Sequence, residues 1–467
     1  MLITLLAVAF VLGVAIIVHE FGHFIVAKKV GVFVKTFSIG FGRKLLKKRV
    51  GETVYAVSAI PLGGYVKFAG EQEETGQEET GQEETGQEEA PQGDTSDEIP
   101  DSEIDPSRYF YNKSRWARAA VVFAGPFANY LLAVVLYIGM LAIDGINIVP
   151  TTQIGHVSEG SAADSVGIVV ADVIVAVDGV DVNNWSELID ELIEDRGEVK
   201  TLKIERGHEV FEIDYKSRLE KDRIVLGFDY FVSNELGLVK RDGPAYLAGI
   251  REGAIIELIG DEPVHNFHDI ERIIHASADK PLLVRWSHDG KSLSATITPE
   301  PKKVPIEGSR TEFKVVGQIG VGPVYDKERL PILRAISLGF RSSNRMVTEI
   351  LSFMKLLFTG KAGIDSVGGP ILIGQMAGDM ARWGFDRLIY FLAFLSINLG
   401  IFNLLPVLPF DGGHLALFLI EGVTRRPIHP RFRERLAQGG FVLLILLMVA
   451  VVSLDLVRCS GSSPGFF

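Results

Sequence analysis

Residues 2–23 read LITLLAVAFVLGVAIIVHEFGH, an uncharged apolar run that passes directly into two histidines and a glutamate. An apolar helix of about 20 residues can cross a hydrocarbon layer of about 30 Å. Residues four apart share one face of a helix, so His19 and His23 can reach one metal ion while Glu20 lies beside them. Because polar groups are costly beside an apolar span, their presence favours a metal site over a chance match.

Three other stretches are also long and apolar enough to span a membrane. The four predicted spans cover residues 2–18, 119–143, 388–410 and 436–454. The first lacks the basic amino-terminal region of a secretory signal and has no A-x-A site where its apolar run ends, so we expect a retained helix. Four spans also explain why 47% hydrophobic residues accompany a formal net charge of −12, a combination that suits one soluble globule poorly.

Basic residues indicate the orientation of these spans. Lysines and arginines cluster after the first span, before the second, and between the third and fourth. Such clusters mark the cytoplasmic side, so residues 144–387 and both termini are predicted to lie outside it. The bases flank apolar runs rather than covering a face, and no nucleic-acid partner is expected. The single cysteine, Cys459, excludes an intrachain disulfide.

Residues 32–69 alternate apolar and polar groups between glycine-containing turns, which predicts a small β-structure against the membrane. Residues 75–89 repeat TGQEE three times. That segment is too acidic and too poor in apolar groups to fold, so we expect a disordered loop.

Between the second and third spans, the sequence matches itself at an offset of 82 residues. Ala163 and Ile174 fall opposite Ala245 and Ile256, for example. Each copy predicts a short helix, a strand, an amphipathic helix and another strand, and the order resembles that of a PDZ domain. Such a pair could bind an extended peptide by strand addition, or it could act as steric bulk over the membrane.

The chain is therefore predicted to be a polytopic α-helical membrane protein with four transmembrane helices, a membrane-associated β-structure and two exported PDZ (α+β) domains. After Pro301 no strand pattern is evident, and residues 331–358 predict a membrane-surface amphipathic helix. The predicted segments are the first helix with HEFGH (1–31), the β-structure (32–70), the acidic loop (71–107), the second transmembrane helix (108–145), the first PDZ domain (146–220), the second PDZ domain (221–303), a linker with the amphipathic helix (304–387), the third transmembrane segment (388–422), and a basic loop with the fourth helix and tail (423–467).

A catalytic zinc ion needs three protein ligands, and the third must come from elsewhere in the chain. Asp411 is the only acid between Arg387 and Glu421, and it follows a helix break at two prolines. His414, three residues further on, is the rival ligand.

HEFGH in a first span, paired with N-x-x-P-x-x-x-x-D-G at residues 403–412, resembles the site-2 protease family of intramembrane zinc proteases. The stretches SIGFG (38–42), IPLGGYVK (60–67), FAGPFAN (123–129) and SINLGIFNLLP (396–406) extend the resemblance over nearly the whole chain. The order P-V-L-P-F-D-G before Asp411 departs from the usual family pattern. The resemblance implies one zinc ion per chain, with ligands His19, His23 and Asp411, general base Glu20, and substrate-path residues Asn129, Asn398 and Asn403.

The resemblance also implies regulated intramembrane proteolysis by a monomer in the bacterial inner membrane. Its substrates would be single-span membrane proteins, such as an anti-sigma factor or a remnant signal peptide, and the active site would open to the cytoplasm. A transmembrane substrate hides its peptide bonds in helical hydrogen bonds, and Gly64, Tyr65 and Val66 are predicted to pair with it once it unwinds. The alternatives are a non-catalytic PDZ scaffold with a vestigial metal site and a metal transporter, which would need repeated inverted halves.

Overall fold

The computed structural model describes residues 2–70, 99–194, 198–220, 223–305, 313–360, 363, 367–426 and 428–460. The TGQEE repeats lie outside these residues. The chain divides into two compact units, which are Met1–Ala142 with Pro331–Arg458, and Ile143–Leu330 with Cys459–Phe467. We call them the membrane unit and the second unit.

The helices are α1 (Leu2–Lys29), α2 (Arg115–Ile143), α3 (Ala162–Ser165), α4 (Trp185–Glu194), α5 (Pro244–Leu247), α6 (Phe267–His275), α7 (Ile332–Phe358), α8 (Pro370–Trp383), α9 (Phe385–Asn403), α10 (Asp411–Thr424) and α11 (Pro430–Ser460). The strands are β1 (Val34–Val50), β2 (Thr53–Phe68), β3 (Ile146–Ile148), β4 (Ile154–Val157), β5 (Val173–Val177), β6 (Val180–Asp181), β7 (Val199–Arg206), β8 (Glu209–Lys216), β9 (Arg218–Glu220), β10 (Arg223–Val225), β11 (Phe228–Tyr230), β12 (Leu236–Val239), β13 (Ile255–Ile259), β14 (Glu262–Pro263), β15 (Leu282–His288), β16 (Lys291–Ile297), β17 (Glu300–Pro305), β18 (Phe313–Gln318), β19 (Val321–Pro323) and β20 (Asp326–Glu328).

Four of the described helices are long and apolar enough to cross a membrane: α1, α2, α9 and residues 431–457 of α11. The four expected spans are thereby confirmed by length and composition. The third is shorter than predicted, because α9 ends at Asn403 and the helix resumes only at Asp411. Pro406 and Pro409 lie in this break, where a proline ring excludes the preceding residue from helical geometry.

The predicted β-structure at residues 32–70 is the antiparallel hairpin of β1 and β2. The hairpin bends at Gly40 and Gly42, which both have positive φ angles that glycine adopts without strain. Residues 37–39 consequently lie opposite residues 55–57 as well as residues 64–66. The segment 64–66 therefore has β1 on one side, and no other described strand pairs with it.

Ion pairs hold the turn of this hairpin. Glu52, in its turn, pairs with Lys28 at the end of α1 and with Arg108, whose Nη2 lies 2.7 Å away. Burial raises the pKa of the Glu52 carboxyl, but the two cations outweigh that effect and lower the pKa below its usual value.

The second unit contains two parts with the same order of elements. Each has a short helix, a strand, a two-residue strand, a longer helix and two more strands. The two four-stranded sheets have the matching orders β6-β5-β7-β8 and β14-β13-β15-β16. Each part encloses its own apolar core, around Ile174 in the first and Ile256 in the second.

Three predictions for this region are wrong in detail. The first part does not end at residue 220, because β11 pairs with β4. The second does not end at 303, because β12 pairs with β19. Strands also follow Pro301, where β17 pairs with β18. β11 and β19 have only three residues each, too few for apolar alternation to be visible in the sequence. The helix predicted at 331–358 is present as α7.

Candidate metal centre

Three side chains from two distant parts of the chain converge in the membrane unit. His19 and His23 lie on one face of α1, with their Nε2 atoms 3.2 Å apart. Asp411 begins α10, and its Oδ2 lies 3.1 Å from Nε2 of His19 and 3.5 Å from Nε2 of His23. Among the described residues, these are the only three with ligand atoms grouped closely enough to hold a metal ion.

The far sides of both imidazole rings are held by α2. Nδ1 of His23 donates to the carbonyl of Val121 at 2.8 Å, which leaves the lone pair of its Nε2 available to bind a metal ion. Nδ1 of His19 lies 3.4 Å from Nδ2 of Asn129, whose Oδ1 has no hydrogen-bond partner in the structure. If the side-chain amide of Asn129 is flipped, its Oδ1 can accept a hydrogen bond from Nδ1–H of His19. Metal-bound histidines are usually oriented by such a second hydrogen bond.

The donor set fits zinc. Oδ2 of Asp411 approaches both imidazoles, yet it makes no hydrogen bond of acceptable geometry. A buried carboxylate oxygen without a hydrogen bond needs an explanation, and a cation between it and the two Nε2 atoms provides one. Two imidazole nitrogens and one carboxylate oxygen are ligands that zinc accepts in catalytic sites with one position left for water.

Two glycines allow α1 and α2 to approach closely enough to build the centre. A side chain at Gly22 would collide with the carbonyl of Ala124, and a Cβ at Gly125 would lie only 2.3 Å from Nε2 of His23. The sequence reasoning missed this role of Gly125. In the sequence, Gly125 is noticeable only as part of FAGPFAN (123–129), which resembles a family motif but does not indicate that a side chain at this position would clash.

Close packing also positions the segments that flank Asp411. A side chain at Gly412 would meet the backbone of Leu404, so the turn from α9 into α10 depends on that glycine. On α9, Ser396 donates to the carbonyl of Asn129 at 2.9 Å, which ties α9 to α2.

A cavity of about 440 Å³ borders the three side chains. Its lining includes Glu20, Asn403, His414 and Val66. Nδ2 of Asn403 is 3.3 Å from Nε2 of His19. Of the two candidates for the third ligand, Asp411 belongs to the converging group, whereas His414 only borders the cavity.

The other predicted site residues differ in their placement. A Cβ on Gly64 would lie 3.5 Å from Cγ of Glu20, so this part of β2 lies directly against the carboxylate side chain. The ring of Tyr65 stacks on Phe41 instead. Asn398 donates to the carbonyl of Phe394 on its own helix and does not line the cavity, so the structure does not bring it to the centre.

Comparison with known proteins gives consistent results along the chain. Residues 7–447 match the model of peptidase family M50. A protein of Vibrio cholerae is 30% identical over 96% of this chain and 97% of its own length, and its name describes it as a zinc metalloprotease. The regulator of sigma-E protease RseP of Salmonella typhimurium is also 30% identical, over 96% and 97%, and that of Escherichia coli is 29% identical over the same shares.

Among solved structures, the chain is similar to the PDZ domain of an SdrC-like protein from Listeria monocytogenes. The identity is 18% and the TM-score 0.16, over 21% of this chain and 90% of that one. The family match spans α1, α2, α9 and α10, which build the metal centre. The chain therefore belongs to peptidase family M50, the site-2 proteases that its motifs resemble, and is a zinc metalloprotease.

Proposed function

We propose that this metalloprotease cleaves the transmembrane segments of single-span membrane proteins. The observation that carries the proposal is the position of the three converging side chains. His19 and His23 lie on an apolar helix of spanning length, and together with Asp411 they border a cavity. Relatives named as regulators of sigma-E protease support substrates of the anti-sigma factor type, with remnant signal peptides as a second class. The proposed setting is the bacterial inner membrane, with a monomer whose active site opens to the cytoplasm.

One zinc ion per chain is proposed, held by His19, His23 and Asp411. Zinc bound there supplies a Lewis acid that polarises a carbonyl oxygen and lowers the pKa of water to about 7. Glu20 borders the same cavity. Its carboxylate takes a proton from the attacking water and returns it to the leaving amine.

Asparagine side chains assist from α2 and α9. Asn129 orients the imidazole of His19 through its Nδ1, as the 3.4 Å approach supports. Asn403 Nδ2, 3.3 Å from Nε2 of His19, is close enough to donate to the oxyanion that develops on the substrate. Asn398 has its amide nitrogen engaged by the carbonyl of Phe394 within α9, so we assign it no contact with the substrate.

The edge of β2 binds the unwound substrate as an added strand. Gly64, Tyr65 and Val66 pair with β1 on one side only among the described strands. Val66 lines the cavity, and Gly64 lies against Glu20. An extended substrate segment on this edge would therefore pass beside the catalytic carboxylate, which is how strand addition presents a backbone.

The second unit acts as a filter against intact substrates. Its two parts with matching strand orders support a tandem of PDZ domains. They are proposed to lie on the exported side, where a large extracytoplasmic domain on the substrate would clash with them. Removal of that domain by another protease would then precede cleavage.

Replacing the proposed base tests the function directly. Glu20→Gln should lower turnover of a transmembrane substrate by about 10² to 10⁴-fold, while zinc content stays near one per chain. Glu349→Gln, at an exposed glutamate on α7, is the matched control and should retain activity. Turnover that survives Glu20→Gln, or zinc that is lost with it, would contradict the assigned role.

A further inference from the structure

Three arginines surround one buried glutamate at an end of the membrane unit. Glu421, near the end of α10, has a side chain only 8% exposed. Nη2 of Arg118 lies 3.6 Å from its Oε2, and Nη2 of Arg433 lies 3.5 Å from its Oε1. Arg115 donates to the backbone carbonyl of Glu421 at 2.9 Å. We call these four residues the arginine cluster.

The cluster has more positive charge and more donors than Glu421 can satisfy. Three guanidinium groups and one carboxylate leave a net charge of about +2. Separations of 3.5 and 3.6 Å are longer than ordinary hydrogen bonds, so the carboxylate binds neither Arg118 nor Arg433 tightly. The Arg118 side chain is only 12% exposed, and its buried Nε has no hydrogen-bond partner in the structure.

The surroundings of the cluster are those of a membrane–water boundary. Arg115 and Arg431 are the first residues of two candidate spans. Apolar residues close in sequence to the members of the cluster are exposed: Trp116 by 87%, Phe432 by 56% and Val423 by 78%. Aromatic side chains beside arginines at span ends are typical of the headgroup level of a bilayer.

We propose that the arginine cluster binds the phosphate of an anionic membrane lipid, with its acyl chains against the exposed apolar side chains beside it. Guanidinium groups bind phosphate oxygens through paired N–H donors, and basic pockets between membrane helices bind lipid headgroups in this way. The phosphate recruits the unpaired Nε of Arg118 and joins α2 to α11. The exposed Trp116 and Phe432 favour a lipid over free phosphate, which would gain nothing from them.

Such a lipid would also stabilise the position of α10. That helix begins at Asp411 and reaches the cluster at Glu421 ten residues later. A bound phosphate beside Glu421 therefore braces the far end of the helix that carries a proposed zinc ligand. The site itself requires no zinc chemistry, so its binding can be measured separately from proteolysis.

The test is lipid binding by the full chain in a neutral detergent, measured by native mass spectrometry. The probes are phosphatidylglycerol, phosphatidylcholine with the same acyl chains, and inorganic phosphate. Phosphatidylglycerol should bind, and Arg118→Gln or Arg433→Gln should weaken it about tenfold, as expected for losing a charge-assisted contact. Arg435→Gln, which removes the same charge from an exposed position on α11, is the matched control and should leave binding unchanged.

Glu421→Gln separates a lipid site from a purely structural ion-pair network. Removing the competing carboxylate should tighten phosphatidylglycerol binding, whereas a structural network would only lose stability. Zinc content and unchanged elution volume verify folding in every variant. Equal binding of the two lipids, equal losses in Arg435→Gln, no gain in Glu421→Gln, or inorganic phosphate binding as well as the lipid would each overturn the proposal.

Discussion

The surroundings of Asp172 in the second unit and of His19 in the membrane unit bury polar groups in different ways. In the second unit, Asp172 is fully buried, but it accepts hydrogen bonds from its neighbour Val169 and from Arg206 of the same sheet. In the membrane unit, His19 and Asn129 are also buried, yet they lie on different helices and face a third, at Asp411. The carboxylate of Asp172 is satisfied by its own neighbours, whereas the polar side chains of the membrane unit come together from different helices at one place.

This difference indicates where chemistry occurs. A buried polar group that its own neighbourhood satisfies stabilises a turn or a sheet edge. Asp172 is of that kind. At the metal centre, polar side chains are brought together from separate helices at a cost. Asp411 Oδ2 is left there without a hydrogen bond, and a bound ligand would satisfy it.

Removing the carboxylate at the point of convergence should have the largest effect. Asp411→Ala should abolish both zinc binding and turnover, because only two ligands remain. His414→Ala, which alters the same cavity three residues away, is the control and should retain most of each. Metal analysis of the purified variants checks this, and a variant pair with the opposite behaviour would make His414 the third ligand.

Adding a side chain at the contact between α1 and α2 should have the next largest effect. Gly125→Ala places a methyl group 2.3 Å from Nε2 of His23, so the imidazole rings must shift. A shift of about 1 Å can cost about 100-fold in rate, and zinc should bind more weakly. Gly139→Ala lies on the same helix with no atom within 4 Å of the added carbon. It should leave turnover unchanged, as a matched comparison of initial rates would verify.

The sequence predicted the parts of this site that depend on residue type and spacing. His19, Glu20 and His23 follow from helical periodicity, and the break before Asp411 follows from two prolines. Other parts depend on tertiary packing. Nothing local indicates that Gly125 must lack a side chain, or that the Asn398 amide bonds within its own helix while Asn403 reaches His19.

The same limit applies to the second unit. The offset of 82 residues predicted two parts with matching elements, because the residues that match at this offset are apolar residues of the two cores. Where each part ends was not predictable, since β11 and β19 are three-residue strands that pair with distant partners. Long-range pairing of so few residues leaves no periodic signal.

A smaller effect is expected at the edge of β2. Proline lacks the N–H that strand pairing uses, so Val66→Pro, or proline at whichever of residues 64–67 directs its N–H outward, should remove one bond to the substrate. Such a bond is worth about 1 kcal/mol, and kcat/KM should fall about fivefold with zinc content unchanged. Lys48→Pro, in the opposite edge segment of the hairpin, is the control. A scan that leaves turnover intact in zinc-loaded enzyme would defeat the strand-addition proposal.

The smallest effect on catalysis should come from removing most of the second unit. β3 and β20 pair, with Ile148 opposite Asp326. Replacing residues 149–325 by Asn-Gly would join these neighbouring ends with a two-residue hairpin turn. Both four-stranded sheets disappear, whereas the elements that carry His19, His23 and Asp411 belong to the membrane unit and remain.

If the second unit excludes intact substrates, the shortened enzyme should cut a full-length single-span substrate that the complete chain leaves uncut. It should also cut a pre-trimmed substrate at an unchanged rate, because the proposed zinc ligands and the β2 edge are retained. Adding Glu20→Gln to the shortened chain must abolish both activities, which shows that the same centre is responsible. Slower cleavage of the trimmed substrate would instead mean that the second unit recruits substrates to the membrane unit.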